Sequence, residues 1–243
     1  MNRSIMFLEY LVLFASLAFV ACSEESSSTS AALESPFNPN IEYGELADSR
    51  DGQTYKTVKI GEQVWMAQNL NYEIENSYCY DNNSFYCTMY GRLYTWAAAV
   101  GKTEDECGYN KNCDFGPDHV QGICPDGWHI PDTTEWKTLI VTADGSIVEY
   151  SSTNVAGQKL KAQTGWRAYS GIINENAYGF SAFPACLKND YDDHFFCGTE
   201  ASFWSAQGYV NQAYNMYLQF ENDIAHLDGV FKGYGTSVRC LKD

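Results

Sequence analysis

The chain has 243 residues, with 31 acidic and 15 basic side chains and a net charge of −16 at pH 7. This charge argues against nucleic-acid binding, which needs a basic face to displace the counterions of the phosphates. Apolar residues make up 45% of the chain and aromatic residues 15%. That is too apolar for a disordered chain and too polar for a protein that crosses a membrane many times. The length predicts one large domain, or one domain with a tail.

Residues 1–21 have the pattern of a secretory signal peptide. Arg3 gives a positive start, and residues 11–20 form an apolar run that is too short for a transmembrane helix, which needs about 20 residues. The run ends in Phe19-Val20-Ala21-Cys22, which resembles a bacterial lipobox with Cys22 as the lipidated residue. We therefore expect a lipid-anchored protein of the cell envelope, in the outer membrane, on its surface or its periplasmic face. The alternative is an ordinary cleaved signal that leaves Cys22 as a thiol or a disulfide partner.

The remaining chain divides into a tether and a domain. Residues 22–44 begin with a run of Ser, Glu and Thr that cannot bury apolar surface, so we expect a disordered tether. Residues 45–243 form the predicted domain.

The predicted elements follow in chain order. Asp51-Gly52 is a hairpin signal, and residues 55–60 and 64–66 are predicted strands. Residues 93–100 are predicted as a short helix. A second helix starts after Asp132, which forms a capping box with Glu135, and ends near residue 141. Further predicted strands are residues 179–185, 203–206, 213–220 and 237–241. The fold class is α+β, with few short helices, antiparallel strands and long loops.

Nine cysteines give the strongest structural signal. Without Cys22 the number is even, as expected for a disulfide framework in an exported chain, although eight cysteines allow 105 connectivities. Spacing suggests three local pairs and one long-range pair: Cys79 with Cys87, Cys107 with Cys113, Cys186 with Cys197, and Cys124 with Cys240.

Metal binding is the competing explanation for cysteine and acidic residues. His194 and Cys197, or His119 and Cys113, do not belong to a recognisable four-ligand zinc pattern, so zinc is not predicted. Asp190, Asp192 and Asp193 form the densest acidic loop, which suits Ca²⁺, although a solvated loop explains it as well. No other cofactor is predicted.

Six sequence blocks resemble a known family. They include residues 51–72, residues 90–97, the Cys124-Pro125-Asp126-Gly127-Trp128-His129-Ile130-Pro131 segment, residues 179–185, Phe203-Trp204-Ser205, and residues 237–243. Together they are similar to the Fibrobacter succinogenes major paralogous domain. The resemblance implies an exported protein or lipoprotein of a bacterium that lives on fibre or in the gut, and it implies no established activity.

The order of helices, loops and closing strand is also similar to the C-type-lectin-like and formylglycine-generating-enzyme folds. In that likeness, Cys124 paired with Cys240 ties an early helical region to the last strand. The calcium-dependent sugar-binding motifs of true C-type lectins are absent from the sequence. The enzyme works through a pair of free cysteines, whereas every cysteine here has a predicted disulfide or lipid role.

The six tryptophans are predicted core, whereas aromatic residues on polar loops are candidates for sugar stacking. Tyr191, Phe195 and Phe196, with Asp190, Asp192 and Asp193, form the predicted ligand-binding loop. His129 lacks a recognisable nucleophile motif, so we interpret it as a core or turn histidine and predict no catalytic residue. The predicted function is a non-catalytic envelope lipoprotein that binds polysaccharide or another envelope component. An enzyme on a formylglycine-generating-enzyme-like scaffold, or a purely structural envelope protein, are the alternatives.

Overall fold

A computed structural model describes residues 35–243, except residues 117, 145–152, 190 and 192. The strands are β1 (Gly44–Ala47), β2 (Thr54–Ile60), β3 (Gln63–Met66), β4 (Ser77–Tyr78), β5 (Leu93–Tyr94), β6 (Trp128–His129), β7 (Leu187–Lys188), β8 (His194–Phe195), β9 (Glu200–Gly208), β10 (Gln212–Gln219), β11 (Ala225–Phe231), β12 (Thr236–Ser237) and β13 (Leu241–Lys242). The helices are α1 (Ser84–Tyr90), α2 (Trp96–Ala99), α3 (Glu104–Cys107), α4 (Thr133–Asp144) and α5 (Ala156–Leu160), and a 3₁₀ turn spans Tyr80–Asn82.

The strands form three sheets. A five-stranded sheet has the order β1-β2-β3-β13-β6, a six-stranded sheet has the order β11-β10-β9-β12-β5-β4, and β7 pairs with β8. Neighbouring strands are antiparallel except β12 and β9, which are parallel. The chain thus belongs to the α+β class, as the sequence predicted, with mostly antiparallel strands and short helices. The last strand lies in the middle of the first sheet, between β3 and β6.

Most predicted elements are confirmed near their predicted bounds. The Asp51-Gly52 signal lies in the turn between β1 and β2, which pair antiparallel. Helix α4 begins after Asp132, whose Oδ1 accepts from the Glu135 backbone N–H at 2.8 Å, while Glu135 Oε2 accepts from the Asp132 backbone N–H at 2.9 Å. This is the predicted capping box.

Three predicted elements differ from the structure. Residues 237–241 are not one strand, because Thr236–Ser237 is β12 in the six-stranded sheet and Leu241–Lys242 is β13 in the five-stranded sheet. Residues 93–100 are not one helix, because Leu93–Tyr94 is strand β5 and only Trp96–Ala99 is helical. Residues 179–185 do not form a strand. Ser181 has a φ of 54°, and the carbonyl oxygens of Phe180 and Ser181 accept hydrogen bonds from Arg239. Those carbonyls are therefore not available for a strand ladder, and only Ala182 makes an isolated bridge, with Lys161.

The core consists of two clusters of buried apolar side chains. One contains Trp96, Trp128 and Trp204, and the other contains Trp65 and Trp136. Trp166 is only partly buried against the second cluster. The prediction that the tryptophans form the core is thus confirmed for five of the six.

All four predicted disulfides are present. Their Cα–Cα distances are 5.0 Å for Cys79 with Cys87, 5.4 Å for Cys107 with Cys113, 5.8 Å for Cys124 with Cys240, and 4.1 Å for Cys186 with Cys197. The Cys124–Cys240 bond spans 116 residues and joins the segment before β6 to the segment before β13. It therefore closes most of the domain into one covalent ring.

The folded unit begins earlier than the predicted boundary at residue 45. Asn38 donates from Nδ2 to the Asn176 carbonyl at 3.1 Å, and the Tyr43 hydroxyl lies 3.3 Å from that of Ser181. Phe37 and Ile41 pack against the second core cluster. Residues 35–43, predicted as the end of the tether, thus contact the domain. The signal peptide, Cys22 and residues 22–34 lie outside the described residues.

None of the helices in the described ranges is both long and apolar enough to cross a membrane.

Candidate functional site

Two groups of aromatic rings, joined through the adjacent residues His194 and Phe195 of β8, contribute to one surface. We call it the aromatic surface, and it consists of Tyr80, Phe85, Tyr86, His194, Phe195, Phe196, Phe231 and Tyr234. Neighbouring ring centroids within it lie 4.8–5.7 Å apart. The rings of Phe85, Phe196 and Phe231 are the open ones, with 58%, 52% and 43% of their surface exposed. An aromatic patch of this kind can stack against another flat apolar face.

Two of the local disulfides hold this surface. Cys79 and Cys87 enclose the 3₁₀ turn and the first half of α1, and thereby fix the rings of Tyr80, Phe85 and Tyr86. Cys186 and Cys197 enclose β7 and β8, and thereby fix His194 and Phe195. The contact between Tyr80 and His194, at 5.3 Å between ring centroids, connects the two segments. The rings are thus presented by cross-linked loops, which lose less conformational entropy on binding than free loops do.

The structure brings together part of the predicted ligand-binding loop. Phe195 and Phe196 are in contact, with ring centroids 4.8 Å apart, and both belong to the aromatic surface. Tyr191 is 87% exposed in the same loop. The Asp193 carboxylate accepts from the Asn189 amide at 3.3 Å, which is a contact within the loop. Asp190 and Asp192 lie outside the described residues, so the calcium hypothesis gains no support here.

A second group of side chains meets at the edge of the five-stranded sheet. We call it the histidine cluster, and it consists of His119, His129, Glu135 and Asp243. His129 lies in β6, next to β13, and Asp243 directly follows β13. Glu135 lies in the first turn of α4, and the bridge between Val120 and Ile130 holds His119 beside β6. Three separate parts of the chain thus converge on His129.

Both ring nitrogens of His129 face a carboxylate. Nδ1 lies 2.6 Å from Asp243 Oδ1, and Nε2 lies 2.9 Å from Glu135 Oε1. His119 stacks on His129 with ring centroids 4.0 Å apart, and its Nε2 lies 3.8 Å from the same Glu135 oxygen. Burial acts to lower the pKa of His129, but the bonds to Glu135 and Asp243 outweigh it and raise that pKa above 6.5. The pKa of Glu135 is lowered, because hydrogen bonds from His129 and Asp132 outweigh the effect of burial.

The histidine cluster was missed by reasoning from sequence. His129 is buried, as predicted for a core histidine, but it also bonds to two carboxylates. Surface depressions border the cluster on both sides of His119, one lined by Asp118, Gln121 and Asp243, the other by Asp118, Asp132 and Glu135. The capping box fixed the position of Glu135 from the sequence. The sequence gives no spacing signal that connects Glu135 to His119 or Asp243. These residues meet because β6 pairs with β13 in the folded domain.

Comparison with known protein families shows which family the chain belongs to. The model of the Fibrobacter succinogenes major domain family matches residues 58–242. The chain therefore belongs to that family, as the sequence blocks predicted. No curated protein and no solved structure matches the chain.

Proposed function

We propose that this protein is a lipid-anchored envelope protein whose domain binds polysaccharide through the aromatic surface and through Tyr191 in the same Cys186–Cys197 loop, without chemical conversion of the ligand. The observation that carries the proposal is the pair of aromatic groups that two disulfide loops bring together through the contact of Tyr80 with His194. Sugar rings have apolar faces that stack on Phe and Tyr, and each such contact contributes about 1 kcal/mol. Exposed apolar patches of this kind are otherwise uncommon on monomeric proteins.

The surroundings of the aromatic surface suit a polar ligand with hydroxyl groups. Asp193, Asn189 and Asn83 lie in the same cross-linked loops or next to them, and Asn83 caps α1 by accepting from the Phe85 backbone N–H at 3.0 Å. Carbohydrate sites typically combine stacking rings with such amide and carboxylate groups, since these can bind hydroxyls. An uncharged plant-type polysaccharide is the preferred ligand, because a chain with net charge −16 would repel a polyanion.

A pull-down assay tests the binding proposal. The full chain, with its disulfides formed, is incubated with insoluble cellulose, xylan and mannan and applied to a glycan array. We expect retention on at least one polysaccharide. A variant with Tyr191→Ala, Phe195→Ala and Phe196→Ala should lose at least ten-fold in affinity, since three rings contribute about 1 kcal/mol each.

A matched control keeps that result specific. Tyr109 is 53% exposed and lies outside the aromatic surface, so Tyr109→Ala should bind like the parent protein. Phe195 is half-buried and packs on Tyr234, so its replacement could disturb the domain. Circular dichroism therefore checks that the triple variant is folded. Absence of binding to every polysaccharide would disprove the proposed function, whereas unchanged binding in the triple variant would disprove only the site.

The location proposal depends on Cys22. Acyl chains on Cys22 would make the anchor permanent, and we place it in the outer membrane. Cys22→Ala should move the protein into the soluble fraction, and a variant that stays membrane-bound would contradict lipidation.

The two alternative functions have separate tests. An enzyme that works through free cysteines is disfavoured, because all eight cysteines of the domain are in disulfides. A native free-thiol titration would detect such an enzyme. A purely structural envelope protein would bind no glycan and would instead cause an envelope defect when deleted.

The finer fold assignment is also a proposal. We infer a C-type-lectin-like or formylglycine-generating-enzyme-like fold from two features. The closing strand β13 lies inside the first sheet, and a disulfide ties the segment before it to the segment before β6. An experimental structure compared with members of both fold groups tests this assignment.

A further inference from the structure

We propose that His119, His129 and Glu135 bind a zinc ion, with two imidazole nitrogens and one carboxylate oxygen as ligands and a fourth position open to solvent. This site is independent of the aromatic surface, because the two share no residue. The zinc site would therefore be a second binding site, in addition to the proposed polysaccharide site.

The distances within the cluster fit such an ion. The three ligand atoms all lie within 4.8 Å of one another. In a tetrahedral zinc site with bonds of about 2.0–2.1 Å, ligand atoms are about 3.3 Å apart. The His129 and Glu135 atoms, at 2.9 Å, need to separate slightly. The His119 atom must approach both, since it lies 3.8 Å from that of Glu135 and within 4.8 Å of that of His129. His119 is exposed and is the ligand that moves.

The groups behind the ligands are those that metal sites use to orient their ligands. With an ion bound, His129 would keep its proton on Nδ1, 2.6 Å from Asp243 Oδ1, and the contact of Nε2 with Glu135 Oε1 would be replaced by bonds from both atoms to the ion. A carboxylate that holds the far nitrogen of a ligand histidine is a recurrent feature of zinc sites. Glu135 Oε2 accepts from the Asp132 backbone N–H, which leaves Oε1 to face the ion. Both buried ligands are therefore already oriented by protein contacts.

The type of ligand selects the type of metal. Two imidazoles with one carboxylate suit zinc and similar transition metals, whereas Ca²⁺ and Mg²⁺ prefer sites built from oxygen alone. Three protein ligands, rather than four, leave a coordination position for water or for a donor from another molecule. The His119 side chain is 57% exposed and separates two surface depressions, so that position is open to solvent. The acidic net charge also favours the approach of a cation.

Equilibrium dialysis of the full chain tests the proposal. The protein is purified in detergent without reductant, stripped with a chelator, and titrated with Zn²⁺ in excess Ca²⁺ and Mg²⁺. We expect one tightly bound Zn²⁺ per chain and a rise in the melting temperature on addition of zinc, since a ligand of the native state stabilises it. With Co²⁺ instead, we expect the visible absorption of a tetrahedral site.

Three variants locate the ion. His119→Ala and Glu135→Gln should each weaken zinc binding at least ten-fold and abolish the thermal shift. Both should fold, because His119 is exposed and glutamine retains the capping box. Asp243→Asn should weaken zinc binding by about 10- to 100-fold. His226→Ala removes a histidine outside the cluster and should leave binding unchanged.

Two results would overturn the proposal. The first is a parent protein that takes up no zinc, or only zinc that Ca²⁺ displaces, which indicates weak association with the acidic surface. The second is zinc binding that His119→Ala and Glu135→Gln leave unchanged. Neither result bears on polysaccharide binding, because the aromatic surface and the histidine cluster share no residue.

Discussion

The guanidinium of Arg239 lies over the ring of Phe180, 4.8 Å from its centroid, and donates to the Phe180 carbonyl oxygen at 2.6 Å. The same guanidinium donates to Asn69 Oδ1 and to the carbonyl oxygens of Met66 and Ser181. Arg239 is only 1% exposed, and burial lowers its pKa to about 9, so it remains charged at neutral pH. Among the described residues no carboxylate pairs with this charge, and its burial is tolerated because four oxygen acceptors bind the guanidinium.

The first prediction concerns this arginine. Arg239→Lys should destabilise the domain by about 3 kcal/mol, because a point charge on a shorter stem cannot reach four acceptors or stack between Phe180 and Phe203. Urea unfolding of the disulfide-intact protein, followed by tryptophan fluorescence, measures the change in the free energy of unfolding.

Arg167 is the matched control. It is exposed and lies 5.5 Å from the Phe220 ring centroid, so Arg167→Lys should cost no more than about 1 kcal/mol. Equal losses in the free energy of unfolding for the two substitutions would mean that the buried contacts of Arg239 do not stabilise the domain more than an exposed ring contact does.

Arg239 also explains where sequence reasoning about the fold succeeded and where it failed. Local signals are read within a few residues, so the Asp51-Gly52 turn and the capped start of α4 were predictable. Residues 179–185 alternate like a strand, but their carbonyls are bound by a side chain more than fifty residues away. Nothing in the segment itself encodes that contact.

The candidate sites follow the same rule. Phe195 and Phe196 are neighbours inside one disulfide loop, so the sequence could place them together. Tyr80 and Phe85 complete the aromatic surface from another disulfide loop, which only the tertiary structure brings near. The histidine cluster depends on the pairing of β6 with β13, and that pairing is between distant parts of the chain.

The second prediction concerns the long disulfide. Removing it with Cys124→Ala and Cys240→Ala should lower the free energy of unfolding by about 5 kcal/mol, because a ring of more than 100 residues restricts the unfolded chain strongly. Removing the short Cys107–Cys113 loop in the same way should cost about 2 kcal/mol.

Peptide mapping without reduction checks the pairing itself. A linked peptide with Cys124 and Cys240 is expected in the parent protein. A peptide that links Cys124 to Cys113 instead would contradict the Cys124–Cys240 bond and remove one of the two features that support the proposed lectin-like fold.

The third prediction concerns pH. Glu200, at the start of β9, is 8% exposed, and burial raises the pKa of its carboxyl to about 7, although a hydrogen bond from Gln219 acts in the opposite direction. The carboxyl of the unfolded chain titrates near 4.5. Between these values the unfolded chain loses a proton that the folded chain keeps, so the contribution of Glu200 to stability falls as pH rises from about 4.5 to 7. The loss is about 3 kcal/mol and is complete near pH 8.

Glu200→Gln should remove this loss, since the amide stays neutral and can still accept from Gln219. The variant should match the parent protein near pH 4 and exceed its free energy of unfolding by about 3 kcal/mol at pH 8. Urea unfolding at several pH values measures the difference, in which the effects of titrating groups that do not interact with Glu200 cancel. A pH-independent difference for Glu200→Gln would contradict the raised pKa of Glu200 in the folded domain.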